Sequence, residues 1–129
     1  MDKRLNILAK TIINYSLAIK ENEKVLITCQ SLESKVLVKF LIDEIYNVKG
    51  IPFVRISDEE ITTRLTERSD DKRIELIKKQ ADFDVDNFDA FIDIRYRIND
   101  YEGKDIDKEI LKNLGKELME SHDIKINHR

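Results

Sequence analysis

Several residue types are scarce in this sequence, and each scarcity excludes a class of protein. The three glycines are far apart, so neither a glycine-rich dinucleotide-binding loop nor a P-loop can be formed. The single cysteine, Cys29, excludes an intrachain disulfide framework. Uninterrupted apolar runs reach only three residues, whereas a membrane-spanning helix needs about 20. No membrane span is therefore expected.

The chain has no large excess of either acidic or basic residues. The net charge is −3, and acidic and basic residues are mixed along the whole length. A nucleic-acid-binding protein usually shows a basic excess or a basic stripe, so we expect no nucleic-acid partner. Hydrophobic residues make up 41% of the chain, which is enough for a folded core. The charged N-terminus lacks the apolar stretch of a signal peptide, and we expect a cytoplasmic location.

The spacing of apolar residues predicts strands that alternate with helices. Short apolar runs without alternation are typical of strands that are buried on both faces of a parallel sheet. Such a run lies at 25–27, and the mostly apolar segments 51–56 and 88–94 are also predicted to be strands. Apolar residues spaced by three and four predict helices. These helices cover 2–20, 33–48, a segment beginning at a capping box formed by Ser57 and Glu60, 70–81, and 105–120. Gly50 occupies the position of a C-cap glycine after the helix 33–48, and the segment Ser69-Asp70-Asp71 is expected to cap the helix 70–81.

The predicted fold is a small three-layer, Rossmann-like α/β domain spanning residues 1–129. Its order is α-β-α-β-α-α-β-α, and its mainly parallel sheet has about three strands. The alternating tail, His122 to Arg129, resembles the approach to a further strand. A three-stranded parallel sheet would leave two edges open. We therefore expect the chain to pair with another copy or to belong to a longer protein.

Three features suggest chemistry, and each has a simpler explanation. The acidic stretch 82–87 lacks the glycine and the final glutamate of an EF-hand loop, and a solvated loop before the third strand explains it better. His122 and His128 have no nearby cysteine and do not form a zinc pattern. Cys29 follows the first strand without a neighbouring base, which favours a buried structural cysteine.

Polar residues cluster where the predicted strands end. In open α/β sheets ligands bind beyond the carboxyl ends of the strands, so these residues form either a binding rim or a surface for another domain. The residues of this strand-end rim are Thr28, Gln30, Ser31, Arg55, Ser57, Asp58, Asp93, Arg95, Tyr96, Arg97 and Asn99. No catalytic, cofactor-binding or metal-ligating residue is assigned in this chain.

A group of short motifs appears in a recognisable order. The first helix contains Asn14-Tyr15-Ser16-Leu17, and Glu23-Lys24-Val25-Leu26-Ile27 follows it. After a long helix come residues 50–60, with the sequence GIPFVRISDEE, and then residues 89–94, with the sequence DAFIDI. In this order the sequence resembles the start of the metallo-aminopeptidase family that includes aminopeptidase T and aminopeptidase S, the thermophilic metalloprotease family.

The resemblance implies an enzyme that removes single residues from the N-termini of peptides. It also implies a pair of divalent metals (zinc, cobalt or manganese) held by a C-terminal catalytic domain, and a homodimer. Two metals can activate a water and polarise the scissile carbonyl. No ligand of that site maps onto residues 1–129. The chain would be the N-terminal accessory domain of such an enzyme, inactive by itself, with the catalytic domain as its partner.

Two other interpretations remain open. The chain could be a free-standing α/β module that binds a small molecule at the strand-end rim and dimerises through its sheet edge. It could also be a small enzyme acting through Cys29 or the rim acids, such as Asp93. Whether the rim residues Asp93, Arg95, Asn99 and Ser57 contact a substrate or only a neighbouring domain is a question for the tertiary structure.

Overall fold

In the computed structural model, which describes residues 3–98 and 120–129, a single sheet lies against helices. The helices are α1 (Lys3–Thr11), α2 (Lys35–Asn47), α3 (Glu59–Glu67) and α4 (Asp71–Asn87). The strands are β1 (Lys24–Cys29), β2 (Ile51–Ile56), β3 (Ala90–Ile98) and β4 (Glu120–His128). They lie in the order β2-β1-β3-β4. The predicted α/β fold with a mainly parallel sheet is confirmed.

The sheet has one strand more than the three that were predicted. β1 is parallel to both β2 and β3, and β4 runs antiparallel to β3 along its whole length. The tail that resembled the approach to a strand is β4 itself. Glu120, which was predicted to end a helix, begins this strand. The rest of the helix predicted at 105–120 lies outside the described residues.

The third strand begins and ends later than predicted. Phe88 is the C-cap of α4, and its N–H donates to the carbonyl of Asp84, so it cannot begin a strand ladder. At the other end β3 continues to Ile98, because β4 pairs with it beyond the point where β1 stops. The segment from Arg95 to Arg97 is therefore part of the strand, which had been predicted to end at residue 94.

One face of the sheet is buried beneath α1 and α2, which pack against each other. Alternate strand residues point to this face, as strand geometry requires. They include Val25, Ile27, Cys29, Ile92 and Ile94, all nearly inaccessible to solvent. The helices contribute Ala9, Ile12, Ile13, Leu37, Leu41 and Ile45 to the same core. At roughly 25 cal/mol per Å² of apolar area removed from water, this cluster is the main source of stability among the described residues.

The first helix is shorter than its apolar stripe suggested. α1 ends at Thr11, and a single π-helical turn, Ile12–Ser16, follows. In this wider turn the N–H of Leu17 donates to the carbonyl of Ile12, five residues back, instead of four as in an α-helix. Ala18 then has φ 49°, which ends the helical path. The wider turn allows Ile12, Ile13 and Leu17 all to be buried, and it explains why the predicted helix 2–20 was too long.

Carboxylates begin both exposed helices. The Asp58 carboxylate accepts from the N–H of Ile61 and caps α3. The predicted capping box on Ser57 is wrong by one residue, because the Ser57 N–H is already used in a bond to the carbonyl of Cys29. The Asp70 carboxylate accepts from the N–H of Arg73 and caps α4, as its position indicated.

Helix α4 is longer than predicted. It was expected to stop at residue 81, but it continues to Asn87 and includes the acidic stretch 82–87 that was interpreted as a loop. Two side chains explain the extension. Asp84 is held by an ion pair with Arg55, and the Asn87 amide donates to the carbonyl of Phe83. The contact with Arg55 joins residues 29 positions apart and cannot be recognised from local propensity.

The outer edge of β2 carries the only proline of the chain, Pro52. The N–H of Ile51 donates to the carbonyl of Glu23, just before β1, and the N–H of Ser57 donates to the carbonyl of Cys29, the last residue of β1. Because N–H directions alternate along a strand, the nitrogen of Pro52 lies on the side away from β1. The missing N–H therefore costs no bond to β1 and weakens the free edge as a template for another strand.

Among the described residues, no helix is long and apolar enough to cross a membrane.

Candidate functional site

The second face of the sheet, opposite α1 and α2, carries two different rows of side chains. The first row is apolar and runs through Phe53, Leu26 and Phe91 on three adjacent strands. Phe88, at the end of α4, covers it with edge-to-face ring contacts at 5.3 Å to Phe53 and 6.3 Å to Phe91. Phe53 nevertheless remains 50% exposed. The described residues thus leave apolar surface accessible on this face.

The second row lies two residues nearer the carboxyl ends of the parallel strands and is polar. It crosses all four strands through Arg55, Thr28, Asp93 and Lys125. We call these residues the polar row. Two of them, Thr28 and Asp93, are on the central strands β1 and β3, where an apolar residue would normally be buried in a doubly covered sheet. Their position indicates that this part of the face is used as a polar surface.

Asp93 is the centre of the polar row. The hydroxyl of Thr28 donates to Asp93 Oδ1 at 2.8 Å, and the guanidinium nitrogen Nε of Arg95 lies 3.6 Å from Asp93 Oδ2. About a third of the Asp93 side chain and 40% of the Arg95 side chain are exposed. The carboxylate is therefore held in place and remains accessible to a polar group from outside. Prediction of Asp93 and Arg95 as neighbours on the rim is confirmed.

Arg55 belongs to the polar row by register, but its charge is already paired. It makes a two-pronged contact with Asp84 of α4, with nitrogen–oxygen distances of 2.5 and 2.6 Å. The hydrogen bond to Asp84, and then the charge of that carboxylate, hold the pKa of Arg55 above its ordinary value, and partial burial acts in the opposite direction. Arg55 therefore fastens α4 to β2.

Several other rim residues are occupied by backbone interactions. The hydroxyl of Ser31 accepts from the N–H of Glu33 and caps a short 3-10 turn, Leu32–Ser34, before α2. Asp58 caps α3. The N–H groups of Gln30 and Ser57 extend the strand ladder, to the carbonyls of Ile94 and Cys29. These bonds shape the rim and leave the polar row as its accessible part.

Of the three remaining rim residues, two lie in a strand and one is not among the described residues. Tyr96 and Arg97 lie within β3, paired with His122 and Ser121 of β4. They continue the strand beyond the end of β1, so they do not form a loop at its mouth. Asn99 lies outside the described residues.

Cys29 occupies the position that a structural cysteine would have. It is 2% exposed on the helix-covered face, and its thiol donates to the carbonyl of Ser31 at 2.9 Å. This bond helps to fix the turn between β1 and α2. The geometry agrees with the interpretation of Cys29 as a buried structural residue.

The two histidines are far apart on one strand. His122 pairs with Tyr96 and His128 with Ala90, at opposite ends of β4. Six residues of strand separate them by about 20 Å, so they cannot share a metal ion. His128 Nε2 instead lies 2.8 Å from the carboxylate of Glu23, just before β1.

Within the described ranges, no group of three or more histidine, cysteine, aspartate or glutamate side chains is arranged to hold a metal ion. The acidic stretch 82–87 is helical, so its alternate acids diverge around the helix and do not surround a loop. The described residues therefore do not fit the two-metal site that the resemblance implies for the catalytic domain. No reaction step is assigned to them.

Sequence reasoning missed the contribution of β4 to this surface. Lys125 extends the polar row next to Asp93, and Asp123 lies opposite Arg95. The pairing of Lys125 with Asp93, and of Asp123 with Arg95, depends on the antiparallel register between β3 and β4. Short-range sequence patterns do not specify that register. Once β4 is recognised as a strand, the alternation of Ile124 and Ile126 with Asp123 and Lys125 does indicate which residues share the polar face.

Comparisons with known proteins find little. No protein-family model matches the sequence, and no curated protein matches it. Among solved structures, wild-type AmpT from Thermus thermophilus is similar, with a TM-score of 0.46 and 20% sequence identity. The similarity covers 54% of this chain and 18% of the AmpT chain. It is a distant likeness to a much longer protein.

Proposed function

We propose that this chain is the N-terminal accessory domain of a metal-dependent aminopeptidase, which removes N-terminal residues from peptides. The order of the sequence motifs that resemble the aminopeptidase T and S family supports this function. In the proposal the divalent metals and the catalytic groups belong to a C-terminal domain. The present chain supports that domain and shapes access to it.

The structural observation that carries the proposal is the second face of the sheet. A mainly parallel sheet is normally covered on both faces. Here the described residues cover one face with α1 and α2, while Phe53 on the other remains 50% exposed. Next to this apolar row, Asp93 of the polar row and its neighbour Arg95 offer both signs of charge. Apolar surface bordered by fixed charges is typical of a contact with another domain.

The test begins with the polypeptide that the gene encodes around this chain. It is compared with residues 1–129 alone for release of N-terminal residues from peptides, with zinc, cobalt or manganese added. We expect activity in a longer polypeptide and none in residues 1–129. A longer polypeptide without such activity, or a gene product that ends at Arg129, would reject the proposal. A small molecule that raises the melting temperature of residues 1–129 would then favour the free-standing binding module.

A pair of substitutions tests the contact surface itself. Phe53→Glu places a charge on the second face, and Ile61→Glu places the same charge on α3, where Ile61 is 62% exposed. In the longer polypeptide we expect Phe53→Glu to lower activity and domain association, and Ile61→Glu to change neither. The melting temperatures of the two variants of residues 1–129 correct for the loss of the Phe53–Phe88 contact. Equal effects of both variants would argue against docking at this face.

A further inference from the structure

Helix α4 has an exposed apolar stripe that is independent of the second face. Leu76 is 62% exposed and Phe83 is 58% exposed. Seven residues are nearly two helical turns, so both side chains lie on the same side, about 10 Å apart along the axis. Two exposed apolar residues alone would be ordinary on a protein surface. Their charged neighbours make this stripe different.

The charges beside the stripe change sign along the helix. Lys72, Lys79 and Asp86 follow one another at the same seven-residue spacing and flank Leu76 and Phe83. The basic residues lie in the N-terminal part and the acids 82, 84 and 86 in the C-terminal part. The last turn contains no basic residue. Apart from the cap Asp70 and Asp71 in the first turn, this order opposes the helix dipole, which favours acids at the N-terminus and bases at the C-terminus.

We propose that α4 is a self-association surface, on which the α4 helices of two copies pack antiparallel. Such pairing about a two-fold axis near Lys79 and Gln80 sets Leu76 against the partner's Phe83. The same register sets Lys72 against the partner's Asp86, and each contact occurs twice because the interface is isologous. Parallel packing would bring like charges together.

The antiparallel arrangement also offsets the unfavourable charge order of a single α4 helix. The basic part of each helix lies beside the acidic part of its neighbour, and the two helix dipoles run in opposite directions. Lys79 alone meets its own copy near the axis. Within its helix it lies 3.8 Å from Glu75, which reduces that repulsion. One helix pair buries less than the roughly 1,200 Å² of a stable interface, so the dimer is weak and depends on concentration.

Charge reversal provides the test, with the full chain studied by sedimentation equilibrium up to about 1 mM. The unmodified chain is expected to dimerise with a Kd between about 10 µM and 1 mM. Lys72→Glu and Asp86→Lys should each raise Kd by about threefold to thirtyfold. The double variant, and an equal mixture of the two single variants, should recover the original Kd because the opposite charges face each other again.

Crosslinking identifies the surface directly. Lys79→Cys, close to the proposed axis, is expected to form a disulfide-linked dimer on oxidation, whereas Lys78→Cys, about 100° further round α4, is not. The unmodified chain controls for Cys29, which is buried. A monomer at every concentration, a Kd unchanged by charge reversal, or equal crosslinking at 78 and 79 would each overturn the proposal. This outcome is independent of the peptidase assays, which test the accessory-domain function.

Discussion

The contact between Arg55 and Asp84 shows how one pair of residues attaches an otherwise exposed element. None of the residues of α4 is buried, yet its C-terminal part is fixed beside β2. The Asp84 side chain is 16% exposed and receives both guanidinium nitrogens of Arg55. A two-pronged geometry of this kind is stronger than a single ion pair. Solvent still reaches half of the Arg55 side chain, which limits the contribution of the pair to stability.

A double-mutant cycle with Arg55→Met and Asp84→Asn should therefore give a coupling energy of about 0.5–1 kcal/mol. The energy should decrease at high salt, because water and ions screen the pair. Urea unfolding measures it. The matched control is the exposed pair Lys79 and Glu75, 3.8 Å apart on α4, for which about 0.3–0.5 kcal/mol is expected. A coupling for Arg55 and Asp84 no larger than the control would mean that the pair does not fasten α4.

At the scale of elements, the turn between α2 and β2 needs a left-handed backbone conformation and, separately, space beside the core. Two neighbouring residues meet these needs, although the sequence pattern indicated only one glycine. Gly50 was predicted to be the left-handed residue after α2. The left-handed residue is instead Lys49, with φ 64°. Gly50 is needed for space, since a Cβ atom there would lie 2.9 Å from Ile45 Cγ2 and 3.1 Å from Ile19 Cγ2. The glycine allows β2 to begin directly beside the core.

Two substitutions at this turn should have opposite effects on the free energy of unfolding. Gly50→Ala should destabilise the chain by about 1–3 kcal/mol, because buried Ile45 and Ile19 cannot move aside without strain. Lys49→Gly should stabilise it by about 0.5–1 kcal/mol, because glycine adopts the left-handed conformation without steric cost. Thermal and urea unfolding of the two variants provide the measurement. Stabilisation by Gly50→Ala would show that the space beside Ile45 is larger than described.

At the scale of the whole molecule, burial is unevenly distributed. The buried cluster unites β1, β3, α1 and α2, whereas α3 and α4 contribute no buried residue. Local stability follows buried apolar contact. The described part of the chain therefore has a stable half, which is the sheet with its first two helices. The other part, which contains α3 and α4, is attached to the sheet by the Arg55–Asp84 pair and by the ring contacts of Phe88.

Amide hydrogen exchange should reveal this division. We expect the amides of β1, β3 and α2 to exchange at a rate set by global unfolding, and those of α3 and α4 to exchange much faster by local opening. Exchange followed by mass spectrometry at increasing denaturant concentrations distinguishes global unfolding, which exposes much surface, from local opening, which exposes little. If α4 is self-associated at high concentration, its protection should increase with protein concentration. Uniform protection across the chain would contradict the division.

The sequence by itself determined the class of the fold and much of its order. The segment 51–56 became the edge strand β2 although none of its residues is buried, because its β-branched and aromatic residues favour strands. The run Val25-Leu26-Ile27 became a strand because its local apolar pattern and its burial on both faces act together. The helical stripe of α2 was recognised for the same reason, and Asp70 as a cap because its carboxylate acts within one turn. Features that depend on neighbours in the chain were therefore predictable.

Only the tertiary structure decided which residues meet across the sheet. The pairing of Thr28 with Asp93 joins residues 65 positions apart, and the place of Lys125 beside them depends on the register of β4. The length of α4 depends on an ion pair between residues 29 positions apart. Such contacts form because burial of the whole core selects one strand register, and a one-residue shift would turn every side chain to the other face. Local preference carries no information about that choice.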